Sequence, residues 1–258
     1  MAAHADFSGV IPPVVTPLTA DRELDRASLK RSIDRMIDRG VHGLFLLGSS
    51  SEVVFCTDSR RREIVETGIE AAAGRVPVLV GVIDAQTERM VEHARAAREL
   101  GADAVVATAP FYALGGPDEI EANFRAIREE VDLPLFAYDL PVCVHKKLDA
   151  DMLVGLGSEG VLAGVKDSSG DDVNFRFQKN RAAGSPLKLF TGHEVVVDGA
   201  FLSGADGVVP GLGNVDPYGY VQQYKAYREG DWDAVAQIQD RLALLMTITS
   251  VTEGAVGF

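Results

Sequence analysis

Short apolar segments recur along the chain, and stretches with helical periodicity separate them. Eight segments are rich in valine, leucine, alanine and phenylalanine: residues 11–16, 43–48, 76–81, 104–108, 133–138, 161–166, 187–192 and 207–210. Nearly continuous apolar runs of this length are typical of strands that are buried on both faces, as in a parallel sheet. The pattern therefore predicts eight buried strands.

Between these segments, apolar residues are spaced three and four apart, which predicts helices. Examples are Leu29, Ile33, Met36 and Ile37, and then Ile120, Phe124 and Ile127 after the helix-starting Pro117. Eight alternating β/α units on a chain of this size predict an α/β fold, a (β/α)8 barrel. A doubly wound open sheet is the alternative, but it needs a topological switch point that the sequence does not reveal.

The chain is expected to form one domain over residues 1–258, because no linker or internal break in composition interrupts the alternation. Residues 214–258 continue as helix after the eighth strand. Two apolar series mark this part: Tyr220, Tyr224 and Tyr227, then Trp232, Val235, Ile238, Leu242 and Leu245. They are expected to be core residues, and the C-terminal helical region is expected to be incomplete.

Composition restricts the possible partners. The chain has 258 residues, 47% of them hydrophobic and 24% charged, which suffices for one large core. The net charge of −13 argues against nucleic acid and anionic membranes as partners, because both would be repelled. The first residues do not resemble a secretory signal, and no apolar run approaches the length of a bilayer span. These features predict a cytoplasmic protein.

No metal and no cofactor are expected. The two cysteines are too few for a disulfide framework and are interpreted as free thiols, and the remaining histidines lack the spacing of metal ligands. The residues concerned are Cys56 and Cys143, and His4, His42, His93 and His145.

The sixth segment ends on Lys166 and is followed directly by small polar residues. A lysine at the end of a buried strand lies at the edge of a dry core, where desolvation favours its neutral form. A neutral amine is a nucleophile toward ketones. The alternative is that Lys166 only marks the point where the strand reaches water.

In a barrel, the carboxyl ends of all strands open into one mouth. Tyr138 ends the fifth segment, and Ser49 and Ser50 follow the second. Lys166 could form a Schiff base there, the phenol could move protons, and the N–H groups of the serine turn could hold a carboxylate. The iminium is an electron sink, so a neighbouring bond can break or form without a metal.

Four motifs resemble the dihydrodipicolinate synthase / N-acetylneuraminate lyase superfamily of class I aldolases. They are GSSSE at 48–52, PFY at 110–112, YDLP at 138–141 and GVKD at 164–167, in the order and spacing of that family. The resemblance covers nearly the whole chain from Gly9 on. It implies a barrel enzyme that acts on pyruvate and an aldehyde.

The resemblance also implies roles for individual residues. Lys166 matches the Schiff-base lysine and Tyr138 the proton-relaying tyrosine, while Ser50 would link Tyr138 to Tyr112. The family residue at Tyr112 reaches into a neighbouring subunit's site, which implies a homo-oligomer, a tetramer or a dimer. The alternative for Tyr112 is an ordinary loop tyrosine.

Further positions are implied to bind substrate. Ser49 and Ser50 match the two hydroxyl residues that follow the first glycine of the family's G-[TS]-[TS]-G-E turn, and Gly192 and Val209 match residues that line the pyruvate pocket. His193 and Glu194 follow the seventh strand, where related lyases place polar residues against substrate hydroxyls. The alternative is that these two are solvated residues that open a helix.

The chain departs from the family pattern at three places. Ser51 occupies the position of a second glycine, so it would be strained if that position needs a positive φ. Cys143 replaces the arginine that binds a substrate carboxylate in dihydrodipicolinate synthases, and a thiol cannot replace a guanidinium. Family members usually continue with further C-terminal helices beyond the point where Phe258 lies.

Several functions remain open. The first is a class I aldolase or lyase that acts on a 2-keto acid through a pyruvate Schiff base on Lys166. Within the same fold, dihydrodipicolinate synthase and a keto-deoxy sugar acid dehydratase are alternatives. The run at 211–214 (GLGN) suggests phosphate binding, since barrels often bind phosphate after the last strand. A non-catalytic sensor or scaffold is the alternative outside enzymes.

Overall fold

A computed structural model describes residues 7–251, with side chains described through residue 249. Eight parallel strands form one sheet. Their bounds are β1 Gly9–Val10, β2 Leu44–Leu46, β3 Val78–Gly81, β4 Ala104–Ala107, β5 Leu135–Asp139, β6 Gly164–Asp167, β7 Lys188–Thr191 and β8 Gly207–Val208.

Ten α-helices connect and follow these strands. They are α1 Arg26–Asp38, α2 Asp58–Ala72, α3 Thr87–Leu100, α4 Pro117–Glu130, α5 Pro141–Val144, α6 Ala150–Ser158, α7 Asp172–Arg181, α8 Val197–Leu202, α9 Pro217–Glu229 and α10 Trp232–Leu245. Short 3₁₀ helices cover Ser49–Ser51, Val53–Phe55, Glu194–Val196, Gly211–Asn214 and Met246–Val251.

The sheet closes into a barrel. Each strand from β2 to β7 pairs with the next one in sequence, and β8 pairs with β1, always in parallel. A parallel bridge between Pro13 and Phe45 joins the chain after β1 to β2 and completes the circle. The predicted (β/α)8 barrel is confirmed, and the doubly wound alternative is wrong.

The first strand lies earlier than predicted. Residues 11–16 were expected to form it, but β1 is Gly9–Val10. Pro12 and Pro13 carry no N–H group and cannot continue the hydrogen-bond ladder. The sixth strand, by contrast, begins later than predicted, at Gly164, because the N–H groups of Val161 and Leu162 both donate to the carbonyl of Leu156 near the end of α6.

The predicted helix faces point inward. Helix α1 buries Leu29, Ile33 and Met36, and α4 begins at Pro117 with Glu119 accepting from the N–H of Gly116. Helices α9 and α10 follow the barrel, so the expectation of helix after the last strand is confirmed in the described part. Residues 252–258 lie outside it. No described helix is long and apolar enough to cross a membrane.

An apolar layer fills the barrel interior beneath the mouth and leaves a gap of only about 10 Å³. Its members come from the six strands β2 to β7 and from the segments that follow β1 and β8: Ile11, Phe45, Leu79, Val106, Phe136, Lys166, Phe190 and Val209. Lys166 is the one charged member of this layer. The fold therefore places its stem in a dry core and its amine at the upper edge.

Candidate active site

Lys166 and Tyr138 lie side by side at the carboxyl ends of two paired strands. The register of β5 and β6 places Tyr138 directly opposite Lys166. Both are buried, with 3% of Tyr138 and 7% of Lys166 exposed. The Lys166 Nζ lies 4.0 Å from the centroid of the Tyr138 ring and 5.3 Å from that of Phe45. The rings exclude water from one side of the amine.

A cleft of about 540 Å³ opens above this pair at the carboxyl ends of the strands. It brings together six of the predicted site residues besides Lys166 and Tyr138: Ser49, Ser50, Gly192, His193, Glu194 and Val209. Tyr112 is not among the described residues that line it. The convergence of the other predicted site residues agrees with the rule that the strand ends of a barrel share one mouth.

Ser49 and Ser50 belong to the 3₁₀ helix that follows β2. The Ser49 hydroxyl lies 3.4 Å from the Tyr138 hydroxyl, which is long for a hydrogen bond between hydroxyls. Such contacts often shorten when a ligand is bound. The link from Ser50 to Tyr138 and Tyr112 stays a prediction.

Backbone strain in this turn lies beside Ser51 rather than on it. The left-handed residues are Leu47 and Glu52, each with φ near 56°. Ser51 is buried, and its hydroxyl donates to the carbonyl of Val14, while its own carbonyl accepts from Thr16. The expected strain at Ser51 is therefore absent, and the serine ties the turn to the segment after β1.

Gly192 is required for space around the amine. A Cβ atom built there would lie 2.0 Å from the Ser168 Oγ and 3.1 Å from the Lys166 Cε. Its N–H donates to the carbonyl of Asp167, so the backbone of β6 fixes its position. A side chain at this point would displace either the lysine or the serine.

Replacing Gly192 by alanine is expected to reduce imine formation on Lys166 by roughly 10–100-fold, because small displacements of reacting groups cost that much. Gly199→Ala is the matched control, since a Cβ at Gly199 of α8 meets nothing within 4 Å. Rates of reductive trapping with pyruvate measure both variants. Equal rates for Gly192→Ala and the control would contradict the assigned crowding.

Glu194 lines the cleft, but its carboxylate is already bonded within the chain. Its two oxygens accept from the N–H groups of Gly211 and Leu212 at 2.8 and 2.9 Å and from the Tyr220 hydroxyl at 2.6 Å. Burial raises the pKa of Glu194, and these bonds oppose the shift. Contact of Glu194 with a substrate hydroxyl stays a prediction, and the structure adds an internal role.

The same bonds bear on the phosphate hypothesis. The glycine-rich run at 211–214 forms a 3₁₀ helix whose first two N–H groups point at Glu194. A phosphate would need those N–H groups and would lie against a carboxylate. The suggestion of phosphate binding at this turn is therefore wrong.

His193 is partly exposed at the rim. Its ring Nδ1 lies 3.1 Å from the Oδ1 of Asp172, the first residue of α7. Its backbone N–H donates to the Thr191 hydroxyl. The Asp172 contact leaves the other ring nitrogen, Nε2, as the position for a further bond. His193 is thus placed to contact a ligand in the cleft, although that role stays a prediction.

Cys143 lies in the wall of the cleft after β5, on the short helix α5. Desolvation raises the pKa of its thiol, and the charge of Lys166 opposes this shift. The thiol is therefore neutral at physiological pH. Among the described residues that line the cleft, Lys166 is the sole lysine and no arginine is present.

Tyr112 projects away from its own chain. It is 96% exposed and has a φ of 75°, an uncommon conformation for an aromatic residue. Residues held in such sparsely populated backbone conformations are found preferentially at functional sites. Its location is compatible with a role in a neighbouring subunit, which stays a prediction.

Sequence reasoning missed several lining residues. Ser168 and Ser169 follow the end of β6 at Asp167, and the strand-end rule could have identified them. Met246 comes from the 3₁₀ helix after α10, and no sequence signal connects it to the mouth. Among residues 7–251, no group of three or more histidine, cysteine or carboxylate side chains is arranged to hold a metal.

Comparison with known proteins agrees with this geometry. A protein-family model described as the dihydrodipicolinate synthetase family matches residues 6–256. The chain is 33% identical over 239 residues to 4-hydroxy-tetrahydrodipicolinate synthase of Phenylobacterium zucineum, covering 93% of this chain and 81% of the relative. It is 30% identical over 245 residues to the probable 2-dehydro-3-deoxy-D-pentonate aldolase YjhH of Escherichia coli, covering 94% and 81%.

A solved structure shares the fold over nearly the whole chain. YagE from Escherichia coli K12, a prophage protein of the dihydrodipicolinic acid synthase family that was crystallised with pyruvate, has a TM-score of 0.93 and 28% identity. The match covers 96% of this chain and 84% of YagE. Barrel, cleft and sequence similarity lead to one conclusion: this chain belongs to the dihydrodipicolinate synthetase family.

Proposed function

We propose that this protein is a class I aldolase or lyase that forms or cleaves a 2-keto acid through a pyruvate Schiff base on Lys166. One observation carries the proposal: the buried Lys166 amine lies 4.0 Å from the Tyr138 ring at the floor of an open cleft. YagE, which binds pyruvate, supports pyruvate as the keto acid.

The proposed reaction begins when the Lys166 Nζ attacks C2 of pyruvate and water leaves, giving a protonated imine. Removal of a C3 proton gives an enamine, whose C3 forms a bond to the aldehyde carbon while the aldehyde oxygen gains a proton. Water then hydrolyses the imine, which frees the amine and a 4-hydroxy-2-keto acid. Tyr138 relays the protons, and cleavage is the reverse sequence.

The turn that contains Ser49 and Ser50 is the proposed site for the pyruvate carboxylate. Both residues line the cleft, and serine hydroxyl groups can donate hydrogen bonds to a carboxylate. Gly192 and Val209 complete the pocket around the methyl group. A homo-oligomer in which Tyr112 completes a neighbour's site is part of the proposal, and the exposure of Tyr112 supports it.

The acceptor is proposed to be a neutral hydroxyaldehyde. Aspartate semialdehyde carries its own carboxylate, and a partly dried cleft must pair that charge because an unpaired ion is costly. Cys143 provides neither charge nor forked geometry. Ser168, Ser169 and His193 at the rim can bond to hydroxyl groups instead.

Kinetics with competing acceptors test this choice. Losing a charge-assisted contact costs about 1.5–3 kcal/mol, so neutral hydroxyaldehydes are expected to exceed aspartate semialdehyde by roughly ten- to a hundredfold in kcat/KM. Cys143→Arg should raise kcat/KM for aspartate semialdehyde by a similar factor, whereas Cys143→Ser should not.

Synthase activity is the second candidate, because the Phenylobacterium relative is such a synthase. A clear preference of the unmodified protein for aspartate semialdehyde would contradict the first proposal and support synthase activity. Turnover of keto-deoxy sugar acids with loss of water, and no transfer to any aldehyde, would indicate a dehydratase instead.

A further inference from the structure

Two buried carboxylates lie next to each other directly behind the proposed catalytic pair. Asp139 follows Tyr138 on β5, Asp167 follows Lys166 on β6, and the strand register pairs the two aspartates. They are 0% and 4% exposed. Because successive side chains of a strand alternate in direction, both point out of the barrel while Tyr138 and Lys166 point in.

Lys147 is the cation that lies against both carboxylates. Its Nζ forms a close ion pair with the Asp139 Oδ2 and lies 3.6 Å from the Asp167 Oδ2. That Asp167 oxygen is buried and has no hydrogen-bond partner among the described residues. Burial raises the pKa of Asp139, Asp167 adds to the shift, and Lys147 opposes it.

The other oxygen of each aspartate holds a separate backbone segment. The Asp139 Oδ1 accepts from the N–H of Leu148, after the helix α5 that carries Cys143. The Asp167 Oδ1 accepts from the N–H of Ser169, which fixes the serine turn in the cleft. Lys147 therefore connects both segments of the cleft wall to the strands of Tyr138 and Lys166.

We propose that Lys147 is a positioning residue for the reaction: by sharing its charge between Asp139 and Asp167, it holds β5 and β6, and with them Tyr138 and Lys166, in register at the mouth. This inference rests on the proposed Schiff-base function. The need for a cation follows from the pair itself, since adjacent buried carboxylates repel each other and are costly to ionise.

Without Lys147, the aspartate pair can become neutral only by binding protons. A pair with a bound proton can share it in a hydrogen bond, and the strands keep their spacing. As pH rises through the raised pKa of Asp139, that proton leaves and the two charges repel. The charged groups that act on Asp139 are Lys147 and Asp167, so removal of Lys147 leaves the repulsion from Asp167 opposed only by the N–H group of Leu148.

Lys147→Met tests this role, with Lys146→Met as the matched control. The control removes a lysine charge one residue away, and Lys146 forms no ion pair with a described residue. We expect Lys147→Met to lower kcat by on the order of 10–100-fold at mildly alkaline pH. The ratio of its kcat to that of the unmodified protein should recover as pH falls. Lys146→Met should keep the normal rate and pH profile.

A second change separates charge compensation from a general structural defect. In Lys147→Met/Asp139→Asn, the amide keeps an acceptor for Leu148 and offers an N–H group to the unpaired oxygen of Asp167. Most of the lost kcat should return in this double variant, and the pH dependence of the ratio should disappear. Lys147→Arg should retain most of the activity.

Three outcomes would overturn the inference: normal turnover of Lys147→Met at all pH values, a loss that does not change with pH, or a double variant no better than the single one. Reductive trapping of pyruvate on the unmodified protein is run alongside. Failure there would refute the Schiff-base function itself, whereas trapping with an unaffected Lys147→Met would refute only the role of Lys147.

Discussion

Replacing Lys166 by methionine is expected to reduce turnover by on the order of 10⁶-fold, the scale seen when a covalent nucleophile is removed. Methionine preserves the apolar stem that fills the top of the barrel core, so the fold should persist. What is lost is the amine that would bond to C2 of the keto acid. No other lysine and no arginine lines the described cleft to replace it.

The measurement is aldol turnover with pyruvate, together with thermal unfolding to establish that the variant is folded. Lys225→Met is the control, because Lys225 is an exposed residue of α9 whose ion pair with Glu229 lies on the surface. Turnover by a folded Lys166→Met protein within tenfold of normal would exclude covalent catalysis at this residue.

Replacing Tyr138 by phenylalanine is expected to slow turnover by about 10²–10⁴-fold while the imine still forms, because general acid–base groups typically contribute that much. The ring should stay in place, since it packs edge-on against Phe45 at 6.2 Å and beneath the Lys166 amine. Only the hydroxyl is lost, and with it the contact to Ser49.

Tyr218→Phe is the matched control, because Tyr218 is half exposed on α9, away from the cleft. Pre-steady-state kinetics separate imine formation from the later proton transfers. Unchanged turnover in Tyr138→Phe would remove the phenol from the mechanism, and loss of imine formation with intact structure would give it an earlier role.

Much of the fold could be predicted from local pattern. Buried strands of a parallel sheet are apolar throughout, so eight runs separated by helical periodicity leave few closed arrangements. The errors lie at element ends, where other forces decide. Pro12 and Pro13 confine the first strand to residues that precede them in the chain. The hydrogen bonds to the Leu156 carbonyl make the sixth strand begin later in the chain than predicted.

The convergence of the candidate site residues in one cleft was predictable, because the barrel rule brings strand ends together regardless of the details of packing. Contacts between segments that are distant in sequence could not be predicted. Nothing in the sequence indicates that Glu194 binds the N–H groups of the turn after β8, or that Met246 reaches the mouth. No periodicity or motif connects Lys147 to Asp139 and Asp167. The strand register pairs the two aspartates, and the folded chain after α5 brings Lys147 against them.

The most direct test of the account is reductive trapping of the proposed imine. The protein is incubated with pyruvate and borohydride, digested, and each lysine peptide is weighed by mass spectrometry. We expect the peptide with Lys166 to gain the mass of a reduced three-carbon adduct and the peptides with other lysines to keep their mass. An unmodified Lys166 in folded protein, or an adduct on other lysines instead, would contradict this expectation.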